Sequence, residues 1–268
     1  MKPKVLIPVG YGLNCQAETG HAFELAGAEV TTIHMKELLS HPALLSGYHL
    51  LALVGGFSYG DHVAAGKILA NQYRFRLGKE VEAFIDSGKL IYAECNGFQA
   101  LAKSGILPGL GTQFGVQTVT LVNNDSGVFE DRWVNLTVNK NSNCVFTRDI
   151  RRAYLPVRHG EGKFVAKDAG LLERLRNNNQ IVMQYCEEGS DEPTAKYPQN
   201  PNGSVDAIAG ICDPSGLVFG LMPHPTAYLS PFNHPHWTRL KAEGKLPEKG
   251  GGVHIFENAI EYVREALR

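Results

Sequence analysis

The start of the chain alternates predicted strands with predicted helices. Strands are indicated at Lys4–Val9, Glu29–His34 and Leu50–Val54, and the last of these runs is apolar throughout. Helices are indicated between them, at Cys15–Ala26 and Met35–Ser46. Continuous apolar runs are typical of parallel strands that are covered on both faces. The βαβαβ order therefore predicts a doubly wound α/β fold, in which ligands bind at the carboxyl ends of the strands.

The pattern changes after Gly105. Before it, a long helix is predicted at Val63–Asp86 and a strand at Leu90–Ala93. After it, turn-rich connections separate segments that are typical of antiparallel strands. The later predicted strands are Val116–Asn123, Trp133–Val138, Ala153–Val157, Gln180–Cys186, Val205–Cys212 and Leu217–Leu221, and the later predicted helices are Gly170–Arg176 and His254–Leu267.

The stretch Lys89–Leu101 begins as an apolar run and ends as the start of a helix, with Cys95 on the turn between them. A strand, a sharp turn and a helix form a nucleophile elbow, which lifts the turn residue above the sheet edge. Gly97 would let the helix approach closely. A helix N-terminus favours the thiolate form of Cys95, and its N–H groups can face an oxyanion. A buried structural cysteine is the alternative, since free cysteine packs as a small hydrophobic side chain.

Two other loops follow predicted strand ends. Gly55–His62 begins with two glycines, whose N–H groups could bind an oxyanion, although an ordinary tight turn would need the same residues. Met222–Thr226 places His224 between two prolines, which suits a rigidly presented catalytic base and equally a structural histidine. His234 and His236 follow, but no carboxylate has a suitable spacing, so we predict no metal site.

Composition excludes several classes of protein. The chain has 268 residues, 43% of them hydrophobic, and a formal net charge of −1 without a long basic run, so we expect neither nucleic-acid nor membrane binding. Its first residues are typical of a strand and not of a signal peptide, and no apolar run reaches transmembrane length. The cysteines are Cys15, Cys95, Cys144, Cys186 and Cys212. Their odd number and wide spacing predict neither a disulfide framework nor a zinc site, and favour the cytoplasm.

Five stretches of the chain match the motifs of a known family, in the same order. They are Gly55–Asp61, Cys95–Gln99, Pro156–Gly162, Tyr197–Ser204 and Met222–Pro225. Together they resemble the class I (triad) glutamine amidotransferase domain, and within it the glutaminase subunits of phosphoribosylformylglycinamidine synthase, of de novo purine synthesis. The resemblance runs from about Lys4 to Pro225, and five long motifs in order are highly specific.

The resemblance implies a fold, a domain division and a mechanism. The fold would be α/β and flavodoxin-like, with a mostly parallel sheet, helices on both faces and a small antiparallel sheet. Residues 1–226 would form the glutamine amidotransferase domain, and residues 227–268 a C-terminal extension packed on the same domain. Cys95 would attack the amide of glutamine, His224 would shuttle the proton, and a γ-glutamyl thioester would form. The residues implied at the oxyanion and substrate sites are Gly56, Phe57, Asn96, Gln99, Arg158, His159 and Gly160.

The same resemblance implies partners. The chain would bind L-glutamine and pass ammonia to a large synthetase subunit, which binds ATP and formylglycinamide ribonucleotide. A small third subunit often joins such complexes. The sequence has no phosphate-binding loop, so we expect no cofactor in this chain, and ATP with Mg on the synthetase subunit.

Thr226 departs from the family, which has the third triad residue, a glutamate, two positions after the histidine. A threonine can accept a hydrogen bond but cannot carry the charge that stabilises an imidazolium. A neutral residue at the equivalent place in the serine-protease triad lowers turnover by roughly 10⁴-fold. An enzyme with a cysteine nucleophile should lose less turnover, because a thiolate needs less help from the base. We therefore expect a weakened glutaminase or, as the alternative, a binding or regulatory subunit that has lost efficient hydrolysis. Another carboxylate could replace the glutamate, but the sequence does not identify it.

Overall fold

The structure is a computed structural model that describes residues 2–110 and 114–266. Its strands are β1 (Lys4–Val9), β2 (Glu29–His34), β3 (Leu50–Leu53), β4 (Leu90–Glu94), β5 (Val119–Val122), β6 (Glu130–Val138), β7 (Arg152–His159), β8 (Lys163–Ala166), β9 (Ile181–Cys186), β10 (Ile208–Cys212) and β11 (Val218–Leu221). Its α-helices are α1 (Gln16–Leu25), α2 (Met35–Ser40), α3 (Lys67–Phe75), α4 (Gly78–Asp86), α5 (Asn96–Ser104), α6 (Ala169–Asn177), α7 (Trp237–Ala242) and α8 (Val253–Ala266). In these ranges, none of the helices is long and apolar enough to cross a membrane.

Most of the strands join one nine-stranded sheet with the order β2-β1-β3-β4-β11-β10-β9-β6-β7. The strands from β2 to β11 run parallel to their neighbours. The strands from β11 to β7 run antiparallel and extend the same sheet. β5 and β8 form a separate antiparallel pair. The predicted α/β fold, with a large mostly parallel sheet and a small antiparallel sheet, is confirmed.

The central strands send alternate side chains into two apolar cores, one on each face of the sheet. In β4, Leu90 and Tyr92 belong to one core, while Ile91 and Ala93 belong to the other. Buried residues of α1 and α8 complete the first core, and buried residues of α3, α4 and α5 complete the second. Helices therefore cover both faces of the sheet, as predicted.

The predicted long helix at Val63–Asp86 is wrong. Gly66 has φ +71° and precedes α3, and α3 is separated from α4 at Leu77, where the backbone (φ −116°, ψ 4°) is not helical. The buried side chains of α3 and α4 keep helical spacing across this break, which hides the break in the sequence. β8 and α7 were not predicted. The predicted last helix matches α8, except that Leu267 lies outside the described residues.

Candidate active site

Three loops of the site follow three neighbouring strands. β4 lies between β3 and β11, and the three strands are parallel. Gly55–His62 follows β3, Cys95 follows β4, and His224 follows β11. β7 reaches the same place, because the carbonyl oxygen of Pro156 accepts a hydrogen bond from the His224 N–H at 2.8 Å. The carboxyl ends of adjacent parallel strands thus bring motifs that are distant in sequence to one edge of the sheet.

Cys95 occupies the sharp turn between β4 and α5. Its backbone has φ 51° and ψ −106°, a left-handed conformation that residues with a side chain rarely adopt. The turn is fixed by two hydrogen bonds, from the Cys95 N–H to the Leu221 carbonyl at 2.9 Å and from the Gln99 N–H to the Cys95 carbonyl at 3.0 Å. The side chain is only 6% exposed, and its thiol lies 3.7 Å from the Arg158 carbonyl oxygen. The elbow predicted from the sequence is therefore present, with the thiol at the N-terminus of α5.

The His224 ring is buried and held from one side. Its Nδ1 lies 2.9 Å from Oε1 of Glu94 and 3.4 Å from Nη2 of Arg158. Within the described residues, its Nε2 is buried without a hydrogen-bond partner. An imidazole whose Nδ1 is fixed on a carboxylate leaves Nε2 for proton transfer.

Glu94 is the acidic residue of the site that the sequence analysis missed. It is the last residue of β4, and its side chain is fully buried. Besides His224, its carboxylate accepts hydrogen bonds from Thr226 Oγ1 at 2.7 Å and from the Tyr92 hydroxyl at 2.8 Å. A weaker bond comes from the Thr226 N–H at 3.4 Å. The sequence held one signal, since a carboxylate inside a strand covered on both faces needs partners.

The Glu94–His224 pair has shifted pKa values. Burial by itself would lower the pKa of His224, but the Glu94 charge, with smaller contributions from the thiols of Cys95 and Cys15, raises it well above its usual value. Burial would likewise raise the pKa of Glu94, but the His224 charge and the bonds from Thr226 and Tyr92 lower it. Both shifts favour a carboxylate facing an imidazolium, which can pair with a thiolate.

A cavity of about 130 Å³ opens beside Cys95. Pockets for drug-sized ligands measure about 300–1,000 Å³, so this one suits a ligand group of side-chain size. The predicted residues that line it are Gly56, Phe57, Gln99, Arg158, His159 and Gly160. Further lining residues are Asp61, Ala65, Phe129 and Glu161. The structure thus brings six of the seven predicted oxyanion and substrate residues to one small cavity.

The seventh, Asn96, lies behind the cavity wall and ties its parts together. Its Nδ2 donates to Asp61 Oδ1 at 3.1 Å and to Gln99 Oε1 at 2.9 Å. The Gln99 amide then donates to the Glu161 carbonyl oxygen at 2.6 Å. Glu161 is also paired with the buried Lys103 at 3.4 Å. The loop after β3, helix α5 and the loop after β7 are therefore fixed to one another around the cavity.

The predicted oxyanion site depends on which backbone N–H groups near Cys95 have no acceptor of their own. Phe57 donates its N–H to the Gly12 carbonyl at 2.9 Å, so that group is engaged. Gly56 has φ +144°, and a Cβ there would lie 2.6 Å from the Gly12 carbonyl oxygen, so the position requires glycine. In the part of the chain that the structure describes, the N–H groups of Gly56 and Asn96 donate to no protein acceptor. The pair Gly56 and Asn96 therefore fits the predicted oxyanion site better than Phe57.

One group of side chains near the site has the chemistry of metal ligands. Cys15, Glu94 and His224 each offer an atom, and these atoms lie within 4.8 Å of one another. All three side chains are buried, and burial is the main cause of a raised pKa at the Cys15 thiol. A cation there would take the Glu94 oxygen and the His224 nitrogen from the hydrogen bond that joins them. The donor set therefore fits a charged pair of side chains better than a resident metal.

Comparison with known proteins agrees with this geometry. The family model of the CobB/CobQ-like glutamine amidotransferase domain matches residues 2–263, and the chain belongs to this family. Within it, the chain is similar to proteins named phosphoribosylformylglycinamidine synthase subunit PurQ. The PurQ of Dehalococcoides mccartyi is 46% identical over 98% of this chain and 99% of its own length. A PurQ of Methanococcus maripaludis is 40% identical over 97% of both chains. A chain in the structure of PurLQS from Thermotoga maritima superposes with a TM-score of 0.72 and 29% identity, covering 98% of this chain and all of that one.

Proposed function

We propose that this chain is the glutaminase subunit of a phosphoribosylformylglycinamidine synthase. The observation that carries the proposal is the Cys95 elbow, with the buried His224–Glu94 pair behind it and a small cavity in front of it. The full-length similarity to PurQ proteins supports the same activity. The site suits an amide of side-chain size, and glutamine carries such an amide.

In the proposed reaction, the Cys95 thiolate attacks the side-chain amide carbon of glutamine. The N–H groups of Gly56 and Asn96 stabilise the oxyanion that forms. The C–N bond breaks as His224 gives its proton to the leaving nitrogen, so ammonia departs and a γ-glutamyl thioester remains. A water molecule then gives a proton to His224 and attacks the thioester. The C–S bond breaks, glutamate leaves, and the thiolate–imidazolium pair is restored.

The ammonia would pass to a partner. We propose a large synthetase subunit that holds ATP and Mg and aminates formylglycinamide ribonucleotide, and a small third subunit in the same complex. The name PurLQS of the similar structure supports a multi-subunit assembly. The five cysteines are all unpaired, which supports a reducing compartment such as the cytoplasm. The alternative of a regulatory subunit without hydrolysis is not favoured, because a carboxylate does hold His224.

The test is glutamate release from glutamine by the purified chain with its synthetase partner. We expect release that Cys95→Ala abolishes. Cys212→Ala is the matched control, because it also removes a buried thiol, at the far end of β10 from the site. A glutamine-like electrophile should label Cys95 in the control and leave the chain unlabelled in Cys95→Ala. Release that persists in Cys95→Ala would overturn the proposal.

A further inference from the structure

We propose that Glu94, the residue directly before the nucleophile, is the carboxylate that positions His224 in this chain. The proposal rests on the proposed glutaminase activity. It assigns the third residue of the triad to a different position of the chain. In the family pattern that carboxylate comes from the position of Thr226. Here the structure places it on the neighbouring strand, at the end of β4.

Glu94 contacts His224 directly. Oε1 of Glu94 lies 2.9 Å from Nδ1 of His224, which is a charge-assisted hydrogen bond when the ring is protonated. The Glu94 side chain is 0% exposed and that of His224 is 3% exposed. Water does not screen the pair, so the interaction is strong and fixes the orientation of the ring.

Thr226 supports the Glu94 carboxylate instead of supplying one. Its hydroxyl donates to the same Glu94 oxygen that faces His224, at 2.7 Å, and its N–H points to the other oxygen at 3.4 Å. The residue at position 226 has therefore become a donor to the carboxylate. The Tyr92 hydroxyl supplies a further bond at 2.8 Å. A buried carboxylate with this many donors keeps its charge, which is what a positioning residue requires.

The space beside Nδ1 of His224 holds one carboxylate. Glu94 already occupies the Nδ1 side of the ring, within hydrogen-bond distance of the Thr226 side chain. A glutamate at position 226 would bring a second carboxylate against the first in a water-free site, where like charges repel strongly. The two positions are therefore alternatives: a carboxylate at one of them excludes a carboxylate at the other.

The charged and titratable groups around His224 come from several elements. Glu94 and Cys95 lie at the end of β4, Cys15 precedes α1, and Arg158 and His159 end β7. Of these, Glu94 is the acid that contacts the ring. Removal of the Glu94 carboxylate should therefore change how the reactivity of the Cys95 thiol depends on pH. If Glu94 had only a structural role, that pH dependence would stay the same.

The first experiment measures glutaminase kinetics of the chain in complex with its synthetase partner. We expect Glu94→Gln to lower kcat and to change KM little. The loss of kcat should lie between about 10-fold and about 10⁴-fold, the loss seen when the carboxylate of the serine-protease triad is made neutral. Asp213→Asn is the matched control, because Asp213 is also a buried carboxylate that accepts hydrogen bonds, in the turn before β11 and away from the cavity. An unchanged kcat in Glu94→Gln would overturn the proposal.

The second experiment moves the carboxylate. Thr226→Glu alone should lower activity, because it creates the pair of like charges. Glu94→Gln combined with Thr226→Glu should recover part of the activity that Glu94→Gln loses. Higher activity in Thr226→Glu alone than in the unaltered chain would mean that the triad lacked its carboxylate, and would overturn the proposal even where Glu94→Gln fails to fold.

The third measurement does not depend on glutamine or on the partner. The rate of Cys95 alkylation by iodoacetamide, followed by peptide mass spectrometry, is recorded against pH. Glu94→Gln no longer holds the proton of His224 beside the thiol, so its alkylation rate should fall faster towards acid pH than the rate of the unaltered chain. If the unaltered chain releases no glutamate, the proposed function is wrong. The pH profile of alkylation still tests whether Glu94 positions His224. Superimposable profiles would contradict it.

Discussion

Two buried histidines of the site have pKa values shifted in opposite directions. His224, beside Glu94, has a raised pKa. Burial, with a contribution from the charge of His224, lowers the pKa of His159 to about 3. The neutral His159 ring contacts amide groups, with Nδ1 at 3.1 Å from Asn124 Oδ1 and Nε2 at 3.5 Å from Asn202 Nδ2. One imidazole is thus built to hold a proton, and the other to remain a neutral part of the cavity wall.

His159 should make the fold sensitive to acid. Its folded-state pKa lies below the unfolded value of about 6.5, so below that pH the unfolded chain takes up a proton that the folded chain does not. Stability is therefore lost as pH falls from about 6.5 towards 3. His159→Gln has no histidine to protonate at this position, so it lacks this loss of stability. The difference in the free energy of unfolding between the unaltered chain and the variant should therefore move by about 2 kcal/mol in favour of the variant from pH 7 to pH 5. Urea unfolding at both pH values measures it, and a constant difference would contradict the prediction.

The sequence motifs named most of the residues that line the cavity, because each motif follows a strand and the strand ends converge. Glu94 was missed for a physical reason. The family motif has the third triad residue two positions after His224, whereas Glu94 ends β4. Glu94 reaches His224 only because β4 and β11 are neighbours in the folded sheet. Spatial pairing of β4 with β11 cannot be read from periodicity. The roles of Gln99 and Arg158 towards glutamine stay predictions.

Helix α5 is the element that aims Cys95, and its distance from the sheet is set by one glycine. A Cβ at Gly97 would lie 2.2 Å from the carbonyl oxygen of Leu53 in β3. That atom is backbone in a central strand and cannot move aside. The elbow therefore depends on the absence of a side chain at Gly97, as the sequence predicts. The break between α3 and α4 was not predictable in the same way, since the apolar spacing continues through Leu77.

Gly97→Ala should displace α5 and destabilise the chain. Overpacking costs about 1–3 kcal/mol, and 1 kcal/mol corresponds to about 2–4 °C of Tm in domains of 150–250 residues. Gly20→Ala in α1 is the matched control, because its added Cβ would meet nothing closer than 3.6 Å. There the change should raise the Tm, since alanine favours a helix interior by up to about 1 kcal/mol over glycine. Calorimetric melting compares the two, and equal Tm values would contradict the argument.

At the level of the whole chain, the regular alternation of strands and helices predicted that the first strands pair in parallel. It did not predict that β11, formed late in the chain, would lie beside β4, nor that the antiparallel strands would extend the same sheet. Those pairings are long-range, and local patterns contain no information on them. They matter for function, because β11 delivers His224 to Glu94. The sheet order therefore assembles the site, while the motifs only supply its residues.

The C-terminal helix α8 is connected to the site through the first apolar core. Phe256 of α8 is fully buried, with its ring centroid 5.0 Å from that of Phe23 and 5.3 Å from that of Tyr92. Tyr92 in turn donates its hydroxyl to Glu94. If residues 227–268 pack as part of the same domain, α8 and the active site should unfold together. If they form a separate unit, α8 should be lost first and leave the rest intact.

Phe256→Ala distinguishes these cases. Removing a buried phenylalanine costs about 3–5 kcal/mol, which should lower the Tm of the whole chain by on the order of 10 °C. Phe232→Ala is the control, because Phe232 lies in the same C-terminal segment but is 57% exposed. The Tm of this variant should change little. Far-UV circular dichroism reports the helices, and the rate of Cys95 alkylation with temperature reports the site. Both signals should shift together in Phe256→Ala. An early loss of helix with an unchanged alkylation transition would instead mean that α8 is a separate unit with no part in stabilising the site.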